Sequence, residues 1–298
     1  MFFFYQTLTL ILYPILIILI FIRKLIFKES LISFKEKLFP QKNRIIRKKV
    51  IWFHGASIGE VNSIIPIINI LLKNKNNFIL ITSTTLSSGA ILRDKFLKNK
   101  NIIHKYLPLD VPFLVKNFLK NWNPDLIIFV DSEIWPNFIS EIKKRNKNLI
   151  LLNARITDKT LKRWLIIKNF TKKIFSCFNI CIASSLESEK NLKLLGVTNI
   201  KYFGNLKYVQ ENKIKKKLSN QILKSLSKKK VWLAASTHRG EEMFIANTHK
   251  LIKNKINNVV TLIVPRHINR TIEIYNQLTK NSFNVQIINS DQAIRKDV

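Results

Sequence analysis

Seven short apolar runs, each followed by a stretch of helical spacing, restrict this chain more than any other feature. The runs fall at 50–54, 78–82, 102–106, 126–130, 149–152, 179–183 and 199–203. Between them, 60–73, 87–98, 111–121, 136–146, 158–175 and 186–195 read as helices; in the first, Val61, Ile64, Ile65, Ile68, Leu71 and Leu72 recur at helical spacing. Alternation of this kind predicts an α/β fold, a parallel sheet with helices on both faces. A second α/β run starts at Val231, with strands expected at 231–235, 259–264 and 284–288 and helices at 240–253 and 269–279. Units of this type usually use five or six strands, so the second one reads as incomplete. The Lys-rich segment 211–229 reads as a linker carrying a short helix. The expected organisation is a first domain over 28–208, a linker over 209–229 and a partial second domain over 230–298.

Ahead of the first domain, residues 2–22 hold no charge. That length is close to the roughly 20 residues that cross a bilayer core. Arg23, Lys24 and Lys28 follow at once, which places what comes next in the cytoplasm. No positive n-region precedes the apolar run and no small-residue cleavage site follows it. Residues 1–27 are therefore expected to be a retained membrane-anchor helix, spanning or deeply inserted, with Pro14 as a kink. Residues 28–49 are basic and amphipathic, with Leu31, Phe34, Leu38 and Phe39 as expected interfacial contacts.

The chain carries 51 Lys and Arg against 18 Asp and Glu, a formal charge of +33. Such a balance suits an anionic partner: nucleic acid, a membrane surface or a phosphorylated substrate. Enrichment in Lys, Asn, Ile and Phe across the chain accounts for part of the excess as compositional drift. The lysines are scattered and no zinc finger, RNA-binding signature or basic coiled coil is present, so nucleic acid is not expected. Cys177 and Cys181 match no metal or redox spacing and read as reduced, packed thiols.

Polar clusters recur at the ends of the predicted strands: His54 to Glu60, Thr82 to Gly89, Asp131-Ser132-Glu133, Asn153-Ala154-Arg155, Gly204 to Lys207, Ser236 to Glu241, and Pro265-Arg266-His267. A doubly wound fold gathers such ends on one rim, where ligands bind. Each cluster also has a plain structural reading. Glu60 suits a first helical turn, Ser236 and Thr237 with Glu241 suit a helix cap, Asp131 and Glu133 suit solvated turns, and Lys207 is one lysine among many. His54, His238 and His267 have no metal-ligand spacing, and no G-x-S-x-G elbow is present.

In order along the chain stand Ala56-Ser57-Ile58-Gly59-Glu60-Val61, Ser132-Glu133-Ile134-Trp135-Pro136-Asn137, Asn153-Ala154-Arg155, Gly204-Asn205-Leu206-Lys207, Ala235-Ser236-Thr237-His238 with Gly240-Glu241-Glu242, and Val264-Pro265-Arg266-His267. Together they resemble the 3-deoxy-D-manno-octulosonic acid (Kdo) transferase family of lipopolysaccharide biosynthesis, from residue 1 to about 290. The resemblance implies a GT-B glycosyltransferase, two Rossmann-like domains with the active site between them, moving Kdo from CMP-Kdo to the lipid A precursor without a metal or other cofactor. It implies Glu60 as general base, Asp131 and Lys207 in transition-state stabilisation, and Pro265 and Arg266 in CMP binding. Ser57, Gly59, Glu133, Arg155, Ser236, Thr237, His238 and Glu241 are then expected donor or acceptor contacts. It further implies the cytoplasmic side of the inner membrane. Two departures stand out: the family usually has Glu at the position of Asp131, and its later Gly-Gly-Ser and Gly-Gly-His-Asn-type motifs are absent. The expectation is a C-terminally truncated family member, with a separate chain supplying the remaining half as one alternative. A non-catalytic remnant or scaffold that binds lipid A precursor is the other.

Overall fold

The structure is a computed structural model describing residues 2–40, 47–209, 219–288 and 294–295. The chain divides into two compact units, Met1–Glu211 and Asn212–Val298.

The N-terminal unit opens with α1 (Phe2–Ile11), α2 (Tyr13–Leu25) and α3 (Leu31–Leu38). The uncharged run is thus two helices rather than one, bent by 55° at Leu12. Pro14 supplies the reason. It has no N–H to offer the Leu10 carbonyl, and its ring favours the first turn of a new helix, where it sits in α2. Among the described residues no single helix is long and apolar enough to cross a membrane, although the bent pair passes by length and composition. One face of α1 is docked on the unit. Phe2 and Tyr5 pack against Phe170, and the Tyr5 hydroxyl donates to Asp110.

The sheet follows, with β1 (Lys49–His54), α4 (Ile58–Leu71), β2 (Asn77–Ser83), α5 (Leu86–Phe96), β3 (Ile102–Tyr106), α6 (Pro112–Trp122), β4 (Leu126–Val130), α7 (Pro136–Lys144), β5 (Asn148–Ala154), α8 (Asp158–Leu165), α9 (Lys168–Phe175), β6 (Ile180–Ala183), α10 (Leu186–Leu194) and β7 (Ile200–Tyr202). All seven strands are parallel, in the order β3-β2-β1-β4-β5-β6-β7. Each of the seven strands expected in this unit is present to within two residues. The helix expected over 158–175 is broken at Ile166 and Ile167, and the Thr171 hydroxyl takes up the freed Trp164 carbonyl at 2.6 Å.

Alternate side chains of each strand enter opposite layers. Trp52, Leu80, Ile127 and Phe129 pack with Phe118 and Phe138 on one face. Ile51, Phe53, Ile79, Ile81 and Ile128 pack with Ile64 and Ile68 on the other. Because β1 lies between β2 and β4, the strand order reverses at β1 and β4. The loops leaving their carboxyl ends diverge and open a crevice there.

The C-terminal unit has α11 (Asn220–Leu226), β8 (Lys230–Thr237), α12 (Glu241–Lys253), β9 (Val259–Pro265) and α13 (Thr271–Lys280). Its two strands pair in parallel. The strand expected at 284–288 is not formed: Asn284 to Ile288 run without regular structure. Phe283 and Val285 instead pack beside Met243 and Ile263 against Ile274 and Leu278.

Candidate active site at the carboxyl edge of the parallel sheet

The loop after β1 makes a tight turn into α4. Ser57 caps that helix by accepting from the Glu60 amide at 3.3 Å. Gly55 permits the turn, since a Cβ there would press on the Glu60 Cβ. Glu60 folds back over the loop: one carboxylate oxygen accepts from the Ala56 amide at 2.7 Å, the other from the Ser57 hydroxyl at 2.7 Å. Burial raises the Glu60 pKa. The Ser57 bond opposes that rise, the nearby Glu133 charge adds to it, the Ala56 bond opposes it and Asp131 adds again. The result is a carboxylate held in place and made more basic than an ordinary glutamate, the two properties a general base needs. Gly59 is exposed in the same first turn.

A second set of hydroxyls fixes this loop. Thr84, Thr85 and Ser88 all donate to the Ala56 carbonyl, at 3.2, 3.4 and 3.3 Å. The hydroxyl-rich start of α5 therefore serves both as a cap, through Thr85, and as a clamp on the Glu60 loop.

After β4, Asp131 adopts a left-handed backbone (φ 64°) and is nearly buried. Its amide donates to Leu152 and its carbonyl accepts from Arg155, which ties the β4 and β5 loops together. The Lys207 ammonium lies 3.3 Å from an Asp131 carboxylate oxygen. Lys207 sits in a short 3₁₀ turn, Leu206–Val209. Asn153, also left-handed (φ 55°), holds that turn by accepting from the Leu206 amide at 2.9 Å. Glu133 is set by two neighbours. His54 Nε2 lies 3.1 Å away and the Trp135 indole donates at 2.9 Å. The other His54 nitrogen meets the Thr82 hydroxyl at 2.9 Å. His54 is fully buried in these contacts. The fold thus brings Ser57, Gly59, Glu60, Asp131, Glu133 and Lys207 to one edge. Arg155 leaves the same edge exposed, with no ion pair to a described residue.

In the C-terminal unit, Ser236 is exposed with φ 61° and Thr237 is buried. The expected Ser/Thr cap is not made, because Gly240 (φ 96°) occupies the N-cap of α12. Thr237 donates instead to Glu242 at 2.9 Å, and Arg270 grips Glu242 through two bonds of 3.0 and 3.2 Å. Glu241 accepts from the His238 amide at 2.8 Å. Arg266 donates its amide to the Thr237 carbonyl at 3.1 Å, which sets the two strand ends side by side and leaves the Arg266 guanidinium exposed. Pro265 ends β9 beside it.

An open parallel sheet followed by a second parallel α/β unit is the fold seen in GT-B-like neighbours. Solved structures bear the fold out: the UDP complex of Staphylococcus aureus MnaA (TM-score 0.53, 14% identity, 83% of this chain and 69% of that one) and a glycosyltransferase from Rickettsia africae (TM-score 0.50, 14% identity, 85% and 70%). The sequence matches define the family more narrowly. The model of the 3-deoxy-D-manno-octulosonic-acid transferase family (kdotransferase) matches residues 32–210. The 3-deoxy-D-manno-octulosonic acid transferase of Rickettsia bellii is 35% identical over 88% of this chain and 63% of its own length. That of Rickettsia prowazekii is 31% identical over 97% and 74%, and that of Haemophilus influenzae 32% over 78% and 55%. The chain belongs to the Kdo transferase family, and it spans a little under two thirds of the length of the Rickettsia bellii relative.

Proposed function

We propose that this protein transfers Kdo from CMP-Kdo to a hydroxyl of a lipid A precursor. The observation that carries the reading is the Glu60 carboxylate, held by Ala56 and Ser57 at the sheet's switch point and raised in basicity by burial and by its acidic neighbours. Glu60 takes the proton of the acceptor hydroxyl as that oxygen bonds to the anomeric carbon of Kdo. The bond from that carbon to the CMP phosphate oxygen breaks, and CMP leaves with the electron pair. Lys207, steered by Asp131, offers positive charge to the anionic transition state. Pro265 and Arg266 hold CMP, with Ser236, Thr237, His238 and Glu241 beside them. Glu133 and Arg155 meet donor or acceptor. Glu60, Lys207 and Arg266 supply proton transfer and charge.

The membrane reading is also a proposal. Ile15, Ile18, Leu19, Ile22, Phe27 and Leu31 are exposed beside Arg23, Lys24 and Lys28. This combination suits the anionic cytoplasmic leaflet of the inner membrane. With α1 docked on the unit, α1 and α2 lie in the leaflet rather than crossing it.

The test is a transfer assay. Residues 1–298 are expressed in membranes lacking the host's Kdo transferase, CMP-Kdo and lipid A precursor are added, and the lipid is weighed. A mass gain of one or more Kdo units supports the reading; no gain overturns it for this chain alone. One observation favours a second reading, a module that binds the acceptor without turning it over or needs a separate chain for the donor. The C-terminal strand β8 is poorly covered, with Leu233 58% exposed. Calorimetry separates the two, since such a module takes up no CMP-Kdo.

A further inference from the structure

Lys37 is a buried cation that the proposed chemistry does not use. It lies in α3, only 6% exposed, and its ammonium meets Glu29 at 2.6 Å. Arg23 reaches the same Glu29 oxygen at 3.1 Å. A buried lysine is costly unless its donors are all placed. The remaining contacts of Lys37 show what it is placed against. The ammonium donates to the Thr84 carbonyl at 2.9 Å and lies over the Tyr106 ring at 5.9 Å. Thr84 in turn donates its hydroxyl to the Ala56 carbonyl at 3.2 Å, and the Ala56 amide donates to Glu60 at 2.7 Å. Three hydrogen bonds therefore connect α3, in the basic segment behind the apolar N-terminal helices, to the carboxylate at the sheet edge.

We propose that Lys37 is a positioning residue for Glu60, acting through Thr84 and Ala56, so that the seating of α3 sets the geometry of the site. The proposal rests on the reading of Glu60 as the base, and it goes beyond it by making α3 part of the site's scaffold. A docking helix alone needs no buried charge: α3 also holds on through Glu36, which takes Lys105 at 2.7 Å and the Tyr106 amide at 2.8 Å. A charge-assisted bond to a loop carbonyl is stronger and more directional than apolar contact. Here it fixes Thr84, one of the three residues whose hydroxyls hold the Ala56 carbonyl, and the Ala56 amide orients Glu60. The other charges that face Glu60 come from the β4 loop, as Glu133 and Asp131, with Lys207 paired to Asp131. None of them touches Lys37, so a change at Lys37 reports on the relay.

The experiment titrates the Glu60 side-chain carboxyl by carbon NMR in the full chain, assigned with Glu60→Gln, and measures transfer in parallel. The variant Lys37→Met is combined with Glu29→Gln so that no buried carboxylate loses its cation. Thr84→Val breaks the middle link while keeping the Thr84 carbonyl and the shape of the side chain. In both, the Ala56 bond to Glu60 loosens, so the Glu60 titration moves to higher pH. In both, kcat falls about tenfold with KM changed far less, as a small displacement of a base predicts. Folded variants with the Glu60 titration and kcat of the wild type overturn the proposal. A wild-type chain that transfers no Kdo while the two variants still shift the Glu60 titration supports the relay and removes the transferase reading instead.

Discussion

The two parallel sheets of this chain obey the same rule to different degrees. In the N-terminal unit the central strands β1, β2 and β4 are covered on both faces, and Trp52, Phe53, Phe129 and Val130 are fully buried. In the C-terminal unit two strands pair, and β8 keeps Val231 and Leu233 43% and 58% exposed. A parallel strand is apolar because both its faces expect cover; the β8 sequence has that character without that cover. The polar residues behave in parallel fashion. Glu60 takes two donors from its own loop, Ala56 and Ser57, and Glu133 meets Trp135 of its own loop and His54 of β1. In the C-terminal unit the well-satisfied acid is Glu242, held by Thr237 and Arg270, while Ser236, His238 and Arg266 stand exposed. The acids Glu60, Glu133 and Glu242 are thus held by neighbours in both units, whereas apolar cover is much fuller in the first.

Mutations can break this comparison, and the largest effect belongs to the N-terminal core. Trp52→Ala removes a fully buried ring that packs on Phe118, Phe129 and Phe138. It should cost about 3–5 kcal/mol, seen in urea unfolding of the full chain followed by hydrogen exchange in β1 and β4. Glu242→Gln should cost about 1–3 kcal/mol, confined to exchange in β8, β9 and α12. Its sign with pH follows from its carboxyl. Burial raises the Glu242 pKa, but the bonds from Arg270 and Thr237 outweigh it and hold it below the usual glutamate value. The stability it lends is present above that usual value and fades as pH falls through the lowered one; Glu242→Gln should flatten this acid dependence. Leu233→Ser should change stability by under about 0.5 kcal/mol, because the side chain is already in water. A large loss there would mean that β8 is covered in solution.

The pH profile of transfer sharpens the same contrast from the site's side. In the proposed mechanism Glu60 must be ionised to act as base, and burial with its acidic neighbours raises its pKa. Activity is therefore expected to fall with falling pH at a value above that of an ordinary glutamate. Asp131→Asn removes one of the charges that raises it and should move that acidic limb downward, measured as kcat/KM against pH.

Much of the N-terminal fold was legible because β1 to β7 are largely apolar runs of three to seven residues separated by helical periods, a pattern with one economical solution. The strand at 284–288 was not, since its alternation resembles a strand whether or not a neighbour exists to pair with it. The helix break at Ile166 depends on Thr171 reaching a carbonyl seven residues back, which periodicity does not encode. The site residues were visible as polar ends of strands, yet their wiring was not. That His54 and Trp135 both hold Glu133, and that Asn153 holds the Lys207 turn, are contacts made across 79, 2 and 53 residues of chain. The motif Ser132 to Asn137 did contain Trp135, and an indole beside a carboxylate was the available signal. Of the four residues assigned to the interface, Leu31 and Phe39 are exposed and Phe34 half-buried, while Leu38 is buried, because α3 turns that face toward the sheet.

The most direct measurement compares the wild type with Glu60→Gln in the lipid transfer assay, alongside thermal unfolding of both. The expected result is a fall in turnover of about 10²–10⁴-fold with the unfolding temperature little changed, since the amide keeps an oxygen for Ala56, turns a donor toward the Ser57 hydroxyl and loses the proton-accepting charge. Turnover equal to the wild type in a folded Glu60→Gln protein would contradict it and take the base away from this edge of the sheet.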